Sequence, residues 1–308
     1  MKNLVFAAID IGSYNCRLTI VEKFKNGFKI IHNFSHITNL IKDLSFNNEF
    51  TDKNTEKTLI FLKKISEKLL KYHVNKYRCI ATEACRQVIN PEFFIKKVKK
   101  ETGINVEVIT TREEAELSLK SCQKYLKEIK DRGIIFDIGG GSTELTFFDT
   151  QKNIFNSKSI SYGVINLSEK EELFGKALIQ KHLHNHFNNF KNELSMLLDH
   201  QFTSIGSCST VTTLCAIHQK LNFFDIKKVE GYRMQKFELL KQINYIKDLN
   251  INEIKQLYCV GSRYSLLLNG MKILKSILDI FPINNVIVTQ SGLKEGILND
   301  LFLTYEEN

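Results

Sequence analysis

The chain has 308 residues, of which 43% are hydrophobic and 25% are charged. This length suits two domains, and the composition is that of a globular protein, which excludes wholesale disorder. Lys and Arg outnumber Asp and Glu by 43 to 34, a net charge of +9, and no apolar run approaches the length of a membrane span. The first residues lack the apolar length and the cleavage site of a signal peptide, so we expect a cytoplasmic protein with no membrane partner.

Hydrophobic patterning predicts strands and helices in alternation. In the first half these are strands at 5–9 and 17–22 around a turn at 10–15, a helix at 55–71, a strand at 79–81, a helix at 91–102, a strand at 106–109 and a helix at 111–127. In the second half a strand–turn–strand pattern at 133–149 precedes helices at about 170–199, 209–220, 236–247 and 262–280, a strand at 285–289 and a closing helix near 292–303. This mixture predicts α/β architecture.

Neither the cysteines nor the clustered histidines predict a metal site. The seven cysteines are an odd number and form no CxxC pair, so we expect reduced, mostly buried thiols. His182, His184 and His186 lie close together, but no acid or further ligand stands at a suitable spacing for zinc.

Basic residues are concentrated in residues 51–100, where 13 basic and 5 acidic side chains supply a net +8. Such a region raises the local concentration of a polyanion, whether nucleic acid, polyphosphate or a phosphorylated nucleotide. The charge alone is better explained by a solvated helix face carrying Lys63, Lys64, Lys68 and Lys71. No aromatic-interleaved basic motif accompanies it, so we expect no specific nucleic-acid partner.

One strand–turn–strand segment occurs twice. Residues 9–22 (IDIGSYNCRLTIVE) align with residues 136–149 (FDIGGGSTELTFFD) at a constant offset of 127, which matches Asp10 with Asp137 and Gly12 with Gly139. An acid and a glycine at the same places in both turns indicate a repeated unit that begins each half of the chain. Chance similarity between two amphipathic hairpins is the alternative.

The second turn, residues 139–143 (GGGST), has the composition of a phosphate site. Glycine lets the backbone approach a ligand closely, and successive N–H groups in a tight turn form a concave anion site. Asp137 and Glu144 flank the turn, and Mg²⁺ prefers a few carboxylates together with phosphate oxygens. A flexible loop with solvated acids would look the same, and the P-loop and dinucleotide fingerprints are absent.

Six segments in one order resemble the exopolyphosphatase/guanosine pentaphosphate phosphatase family of the actin-like and sugar-kinase-like superfamily. They are residues 9–21, 81–90 (ATEACRQVIN), 111–117 (TREEAEL), 137–145 (DIGGGSTEL), 206–214 (GSCSTVTTL) and 291–298 (SGLKEGIL). The resemblance covers almost the whole chain and matches the short, two-domain form. It implies two actin-like (ribonuclease-H-like) βββαβα domains facing a central cleft, at 1–125 and 126–308, with the closing helix packed back on the first. It further implies substrate phosphates between the two turns, a divalent metal such as Mg²⁺, and a homodimer.

The resemblance also implies residue roles. Glu114 matches the family's catalytic glutamate, expected to orient or deprotonate water, and Arg86 matches an arginine expected to neutralise substrate charge. Thr111 and Glu114 also form a capping-box pattern, and Arg86 could form a surface salt bridge instead. Asp137 and Glu144 match metal positions. The matching phosphate positions are Asp10, Gly12, Ser13 and Arg17 in the first turn and Gly139, Gly140, Gly141 and Ser142 in the second.

Three residues depart from the family's pattern and bear on substrate choice and activity. Tyr14 replaces a small amide, Ser209 replaces a glycine, and Glu230 would put a negative contact where a histidine is frequent. We therefore consider three functions, in this order: a Mg²⁺-dependent hydrolase of polyphosphate, guanosine pentaphosphate or both; a non-catalytic sensor of such anions; and an ATP-dependent phosphotransferase. The fold alone does not choose among them.

Overall fold

A computed structural model describes residues 4–24, 27–129, 131–194 and 201–306. The chain divides into two compact units, one formed by Met1–Ser121 together with Leu293–Asn308 and the other by Cys122–Gly292. Each unit has one sheet with parallel and antiparallel strands, flanked by helices. The α/β class expected from the sequence is confirmed.

The first unit contains a five-stranded sheet in the order β3-β2-β1-β4-β5. Its strands are β1 (Val5–Ile11), β2 (Asn15–Phe24), β3 (Gly27–Ile37), β4 (Lys76–Ala81) and β5 (Glu107–Val108). Its helices are α1 (Leu44–Asn47), α2 (Asp52–Lys71), α3 (Glu83–Gln87), α4 (Pro91–Thr102), α5 (Thr111–Ser121) and, from the end of the chain, α14 (Leu293–Glu306). Strands β1, β2 and β3 form an antiparallel meander, and β4 and β5 extend it in parallel.

The second unit repeats the three-stranded meander within a six-stranded sheet, in the order β10-β11-β9-β6-β7-β8. Its strands are β6 (Arg132–Ile138), β7 (Thr143–Asp149), β8 (Ile154–Ile160), β9 (Phe202–Gly206), β10 (Arg233–Gln235) and β11 (Ile283–Val288). Its helices are α6 (Gln123–Ile129), α7 (Asn166–Phe174), α8 (Lys176–Glu193), α9 (Ser209–His218), α10 (Ile226–Val229), α11 (Lys236–Asp248), α12 (Ile251–Gln256) and α13 (Tyr264–Ile280).

Helix α14 completes the core of the first unit. Its residues Ile297 and Leu301 are buried with Phe6 of β1 and Leu117 of α5. At Gly296 a Cβ atom would lie 2.1 Å from the carbonyl oxygen of Leu117, so α14 and α5 pack too closely there for any side chain. The closing segment of the chain therefore holds α5, and with it Glu114, against the sheet.

Two of the predicted helices are each divided into two helices in the structure. The helix predicted at 111–127 is two helices, α5 and α6, separated at Cys122, and the helix predicted at 170–199 is α7 and α8, separated at Gly175 with φ +86°. The end of that second prediction, 195–200, lies outside the described residues. Strands β3, β8, β9 and β10 were not predicted. Strands β3, β8 and β10 lie at sheet edges and are partly exposed, whereas β9 is a short, buried strand inside the sheet whose residues do not alternate.

The cysteines match the expectation of reduced, mostly buried thiols. None of the seven, all of which lie in the described ranges, forms a disulfide; six are buried, and Cys259 is half-buried. Within the described ranges no helix is long and apolar enough to cross a membrane.

Candidate functional site

The two predicted hairpins have the same turn geometry. In the first, the N–H of Gly12 donates to the carbonyl oxygen of Asn15 at 3.0 Å; in the second, the N–H of Gly139 donates to that of Ser142 at 2.9 Å. Both hydrogen bonds close the turn at positions 127 residues apart, the offset of the sequence repeat. The similarity of the two segments is therefore structural and not a chance match.

The hairpins differ in the charges beside their turns. In the first, Asp10 is opposite Arg17 across the strand pair, with Asp10 Oδ2 3.7 Å from Arg17 Nη1. In the second, Asp137 is opposite Glu144, whose carboxylate accepts a hydrogen bond from Ser159 Oγ at 2.9 Å. Opposite residues of an antiparallel pair place their side chains on the same face of the sheet. The first turn thus carries an acid with a cation, and the second carries two acids.

Asp10 is the most perturbed acid of the first hairpin. It is only 5% exposed, and burial raises the pKa of its carboxyl above the ordinary value, although the Arg17 guanidinium acts in the opposite direction. Removal from water disfavours the charged carboxylate, and a cation nearby compensates in part. The fold therefore holds a charge-sensitive group at the base of this turn, as expected for a site that handles charged ligands.

The first two carbonyl groups of the glycine turn are directed toward the segment that contains residues 164 and 165. The carbonyl oxygens of Gly139 and Gly140 accept hydrogen bonds from the N–H groups of Val164 and Ile165, both at 2.9 Å. The described peptides are all trans, and in a trans peptide the N–H points opposite to the C=O of the same unit. The N–H groups of Gly140 and Gly141 consequently point away from the 164–165 segment. This is the arrangement that an anion-binding turn requires.

The carboxylate of Glu114 lies beside Arg86 and does not cap its helix. Helix α5 begins at Thr111, and the cap comes from Thr110, whose Oγ1 accepts the N–H of Glu113 at 3.2 Å. Glu114 Oε2 is 2.8 Å from Arg86 Nη1, and the two side chains are 13% and 16% exposed. The cap is therefore Thr110 and not the Thr111–Glu114 capping box. Arg86 does form the salt bridge expected as its alternative, but that bridge is largely buried and not on the surface.

Arg86 is shared between two carboxylates. Besides Glu114 it contacts Glu83, with Nη2 to Oε2 at 2.9 Å, and its Nη1 donates to the carbonyl oxygen of Ile109 at 3.1 Å. Burial lowers the pKa of Arg86, but the carboxylates of Glu114 and Glu83 outweigh it and raise the pKa above its ordinary value. Sequence reasoning missed Glu83, although its i,i+3 spacing from Arg86 in ATEACRQ was the available signal.

Cys208 precedes α9 near the glycine turn. It is buried, and burial together with the neighbouring Asp137 raises the pKa of its thiol to about 12. A thiol is a nucleophile only as the thiolate, so Cys208 is inert at neutral pH. Ser209, the residue that replaces a family glycine, is the first residue of α9 and is exposed.

The Glu230 carboxylate is held by three hydrogen-bond donors. Its carboxylate accepts hydrogen bonds from the Tyr125 hydroxyl, from Thr289 Oγ1 at 2.7 Å and from the N–H of Gln290 at 2.8 Å. Burial and then Glu230 raise the pKa of Tyr125, so its hydroxyl stays a donor. Glu230 therefore anchors the segment that follows β11.

Asp137 and Glu144 are suited to magnesium by the chemistry of their donors. Across the part of the chain that the structure describes, no group of three or more His, Cys, Asp and Glu side chains could hold a metal by itself. Mg²⁺ rarely needs such a cage, because it binds through one or two carboxylates and takes its other ligands from water and phosphate. Two acids on one face beside the glycine turn fit that preference.

Comparison with known proteins points to one family. A model of the Ppx/GppA phosphatase family matches residues 19–305. The bifunctional 3-dehydroquinate synthase/phosphatase of Fusobacterium nucleatum is 31% identical over 97% of this chain, which spans about half (47%) of that protein. Exopolyphosphatase 2 of Mycobacterium tuberculosis is 26% identical over 76% of this chain and 77% of its own length.

The fold is likewise similar to a solved member of that family. The crystal structure of the Aquifex aeolicus Ppx/GppA family member superposes with a TM-score of 0.81 at 28% identity, covering 99% of this chain and all of the other. The family model and the structural match together cover both repeated hairpins and the Arg86–Glu114 pair. The chain therefore belongs to the Ppx/GppA phosphatase family.

Proposed function

We propose that this chain is a phosphohydrolase that releases the terminal phosphate of inorganic polyphosphate or guanosine pentaphosphate. The observation that carries the proposal is the second hairpin, where two carboxylates on one face adjoin a glycine turn whose N–H groups point away from the 164–165 segment. Both candidate substrates are polyanions with a terminal phosphoanhydride, and the family name and the exopolyphosphatase relative support this substrate class.

Phosphate binding is assigned to the two turns. In the second turn, the N–H groups of Gly140 and Gly141 and the Ser142 hydroxyl would bind phosphate oxygens, with Gly139 setting the turn. The matching residues of the first turn are Gly12, Ser13 and Arg17, with Asp10 orienting Arg17 through their ion pair. A guanidinium binds phosphate well because its planar array of donors matches two oxygens at once.

Asp137 and Glu144 would hold Mg²⁺. When bound, the ion would neutralise charge on the phosphate oxygens and so favour attack at phosphorus. Within the protein, Ser159 fixes one of these carboxylates through its hydrogen bond to Glu144. The two acids sit at one register position of the β6–β7 pair, so the sheet sets their spacing.

Glu114 is proposed to orient the attacking water. The water oxygen attacks the terminal phosphorus, its proton passes to the Glu114 carboxylate, and the bond from phosphorus to the bridging oxygen breaks with its electron pair on the leaving group. Arg86, held by Glu83 and the Ile109 carbonyl, keeps the Glu114 side chain in one position. In this arrangement Arg86 acts on the reaction through Glu114.

A non-catalytic sensor of the same anions is the second candidate. Tyr14 favours it, because this half-buried tyrosine occupies the first turn where the family has a small amide. A bulky ring beside a phosphate turn can leave substrate binding intact and still hold the terminal phosphate away from the attacking water.

Phosphate release decides between the two candidates. Purified protein with Mg²⁺ is given long-chain polyphosphate, guanosine pentaphosphate or ATP, and Glu114→Gln protein is run in parallel to exclude a contaminating phosphatase. Release that the variant abolishes supports the hydrolase and ranks its substrates. Binding of polyphosphate without release from any substrate would overturn the hydrolase and favour the sensor.

A further inference from the structure

Asn166 contacts the glycine turn through a fully buried side chain. It is the first residue of α7 and has 0% exposure. Its Nδ2 donates to the carbonyl oxygen of Gly141 at 2.8 Å and to that of Ser161 at 3.2 Å, and its Oδ1 accepts the N–H of Gly163 at 2.8 Å. One amide group thus connects the turn with the segment that leads from β8 into α7.

That segment lies directly against the turn, backbone to backbone. A Cβ atom at Gly163 would come within 2.4 Å of the carbonyl carbon of Gly140 and 2.5 Å of the nitrogen of Gly141. Only glycine fits at such a distance, because neither backbone can yield. The segment is held from its other side by Asn269 of α13, whose Nδ2 donates to the carbonyl oxygen of Val164 at 2.9 Å.

In the first hairpin, the equivalent carbonyl groups accept hydrogen bonds from main-chain N–H groups. There the carbonyl oxygen of Ser13 accepts the N–H of Ile41 at 3.1 Å, and that of Tyr14 accepts the N–H groups of Thr38 and Asn39 at 3.1 and 2.9 Å. In the second hairpin, the carbonyl oxygens of Gly139 and Gly140 also accept hydrogen bonds from main-chain N–H groups. The carbonyl oxygen of Gly141 instead accepts its hydrogen bond from the Asn166 side chain. The orientation of one peptide of the turn therefore depends on a single side chain.

We infer that Asn166 is a positioning residue that fixes the peptide between Gly141 and Ser142, so that the N–H of Ser142 faces the substrate phosphate. The inference follows from the trans peptide, in which a carbonyl directed at Asn166 places the N–H on the opposite side. The effect of Asn166 on catalysis depends on the proposed phosphohydrolase function, whereas its effect on the structure of the turn does not.

The Asn166→Asp substitution removes the Nδ2 donor while keeping the shape of the side chain. The carboxylate would still accept the N–H of Gly163, but it would face the carbonyl oxygens of Gly141 and Ser161 with no hydrogen to donate. We expect kcat to fall about 100-fold, the effect of losing one well-placed donor to a developing charge. Because a protonated carboxyl regains the donor, the ratio of variant to wild-type kcat should rise as pH falls. A merely structural role would lower the unfolding temperature without this pH-dependent recovery of kcat in the folded enzyme.

Asn33→Asp is the matched control. Asn33 accepts a hydrogen bond from Thr19 Oγ1 at 2.8 Å, and a carboxylate can accept it equally well. The control should keep kcat within about twofold of wild type at every pH, a change small beside the effect of a lost donor.

A second measurement is independent of turnover. Residues 139–141 are the only consecutive glycines of the chain, so labelling with glycine carrying ¹³C at the carbonyl and ¹⁵N restricts an HNCO spectrum to the amides of Gly140 and Gly141. We expect Asn166→Asp to shift both peaks and Asn33→Asp to leave them in place. Unchanged peaks and unchanged kcat in Asn166→Asp would overturn the inference. If wild-type protein releases no phosphate, the proposed function fails. The two amide peaks then test by themselves whether Asn166 fixes the turn.

Discussion

Glu114 Oε2 and Arg86 Nη1 lie 2.8 Å apart in a largely buried ion pair, and Glu83 contacts the same guanidinium from the opposite side. Two carboxylates thus share one cation. Arg86 is held between them, and Glu114 lies directly beside this cation. Removing the Glu114 carboxylate and removing the Arg86 guanidinium should therefore have different effects on the protein.

Replacing Glu114 with glutamine should abolish turnover while leaving binding largely intact. The amide keeps the size of the side chain but cannot take up a proton, so we expect kcat to fall by about 10³-fold, within the range found for general-base residues. Phosphate release under saturating polyphosphate measures kcat, and calorimetry with the same polymer measures affinity. Glu116→Gln, on the same helix but in an exposed pair with Arg112, is the control and should be close to wild type. Near-normal kcat in Glu114→Gln would refute the assignment of the base.

Replacing Arg86 with glutamine should destabilise the first unit. It leaves the buried carboxylates of Glu83 and Glu114 without their cation, for which we expect a loss of about 3 kcal/mol in the free energy of unfolding. Urea unfolding followed by circular dichroism measures it. Arg112→Gln removes an exposed arginine from the i,i+4 pair with Glu116 and should cost at most about 0.5 kcal/mol. Equal stabilities for the two variants would show that the Arg86 pair contributes no more than a surface contact.

Replacing Asp10 with asparagine should stabilise the protein at neutral pH. Burial raises the pKa of Asp10 in the folded state above the unfolded value of 3.8. The folded protein then binds this proton more tightly than the unfolded chain does, so the contribution of Asp10 to stability falls as pH rises from about the unfolded pKa through the raised folded pKa. An uncharged asparagine side chain at this position would have no such dependence. The advantage of Asp10→Asn should be largest at pH 7 and shrink as the pH approaches 4.

Urea unfolding of both proteins at several pH values tests the Asp10 prediction. Asp248→Asn, which changes an exposed acid at the end of α11, provides a comparison for the general effect of removing one carboxylate. An advantage of Asp10→Asn that grew at low pH would contradict the direction of the pKa shift.

The cysteines should react with iodoacetamide in an order set by burial. Burial raises the pKa of Cys208 and of Cys85 to about 12, and both side chains are inaccessible, so neither offers a thiolate at pH 8. Half-buried Cys259 should be modified first, and the buried six only after unfolding. Peptide mapping by mass spectrometry gives the rate at each site. Modification of Cys208 as fast as Cys259 in folded protein would disprove its burial beside the glycine turn.

Polyphosphate affinity should fall with rising salt if the basic residues of 51–100 attract the polymer. Changing the exposed Lys96, Lys99 and Lys100 of α4 to glutamine should weaken binding and flatten its salt dependence. The same charge change at the exposed Lys227, Lys228 and Lys247 is the matched control and should have a smaller effect. Affinity that is independent of salt, or equal losses in both triple variants, would mean that this region does not face the polymer.

The local features of this protein could be predicted from its sequence because they depend on neighbours along the chain. The strand–turn–strand repeat is an example, since Asp10 and Asp137 recur with their glycines at one offset and fold into matching turns. Helix α4 was predicted within its observed bounds, because Pro91 begins it and its apolar spacing is regular. The family resemblance came from the same short segments.

Only the tertiary structure decided which distant residues meet. These contacts are the ion pairs and hydrogen bond of Arg86, the hydrogen bond from Asn166 to Gly141 and the hydrogen bonds to Glu230. Apart from the local pair of Arg86 with Glu83, they join residues 23 or more positions apart in the chain. Such contacts depend on strand order and on helix packing, which no local pattern encodes. The same reason explains why β3 and β8 were missed, since a partly exposed edge strand is defined by the strand beside it rather than by its own alternation.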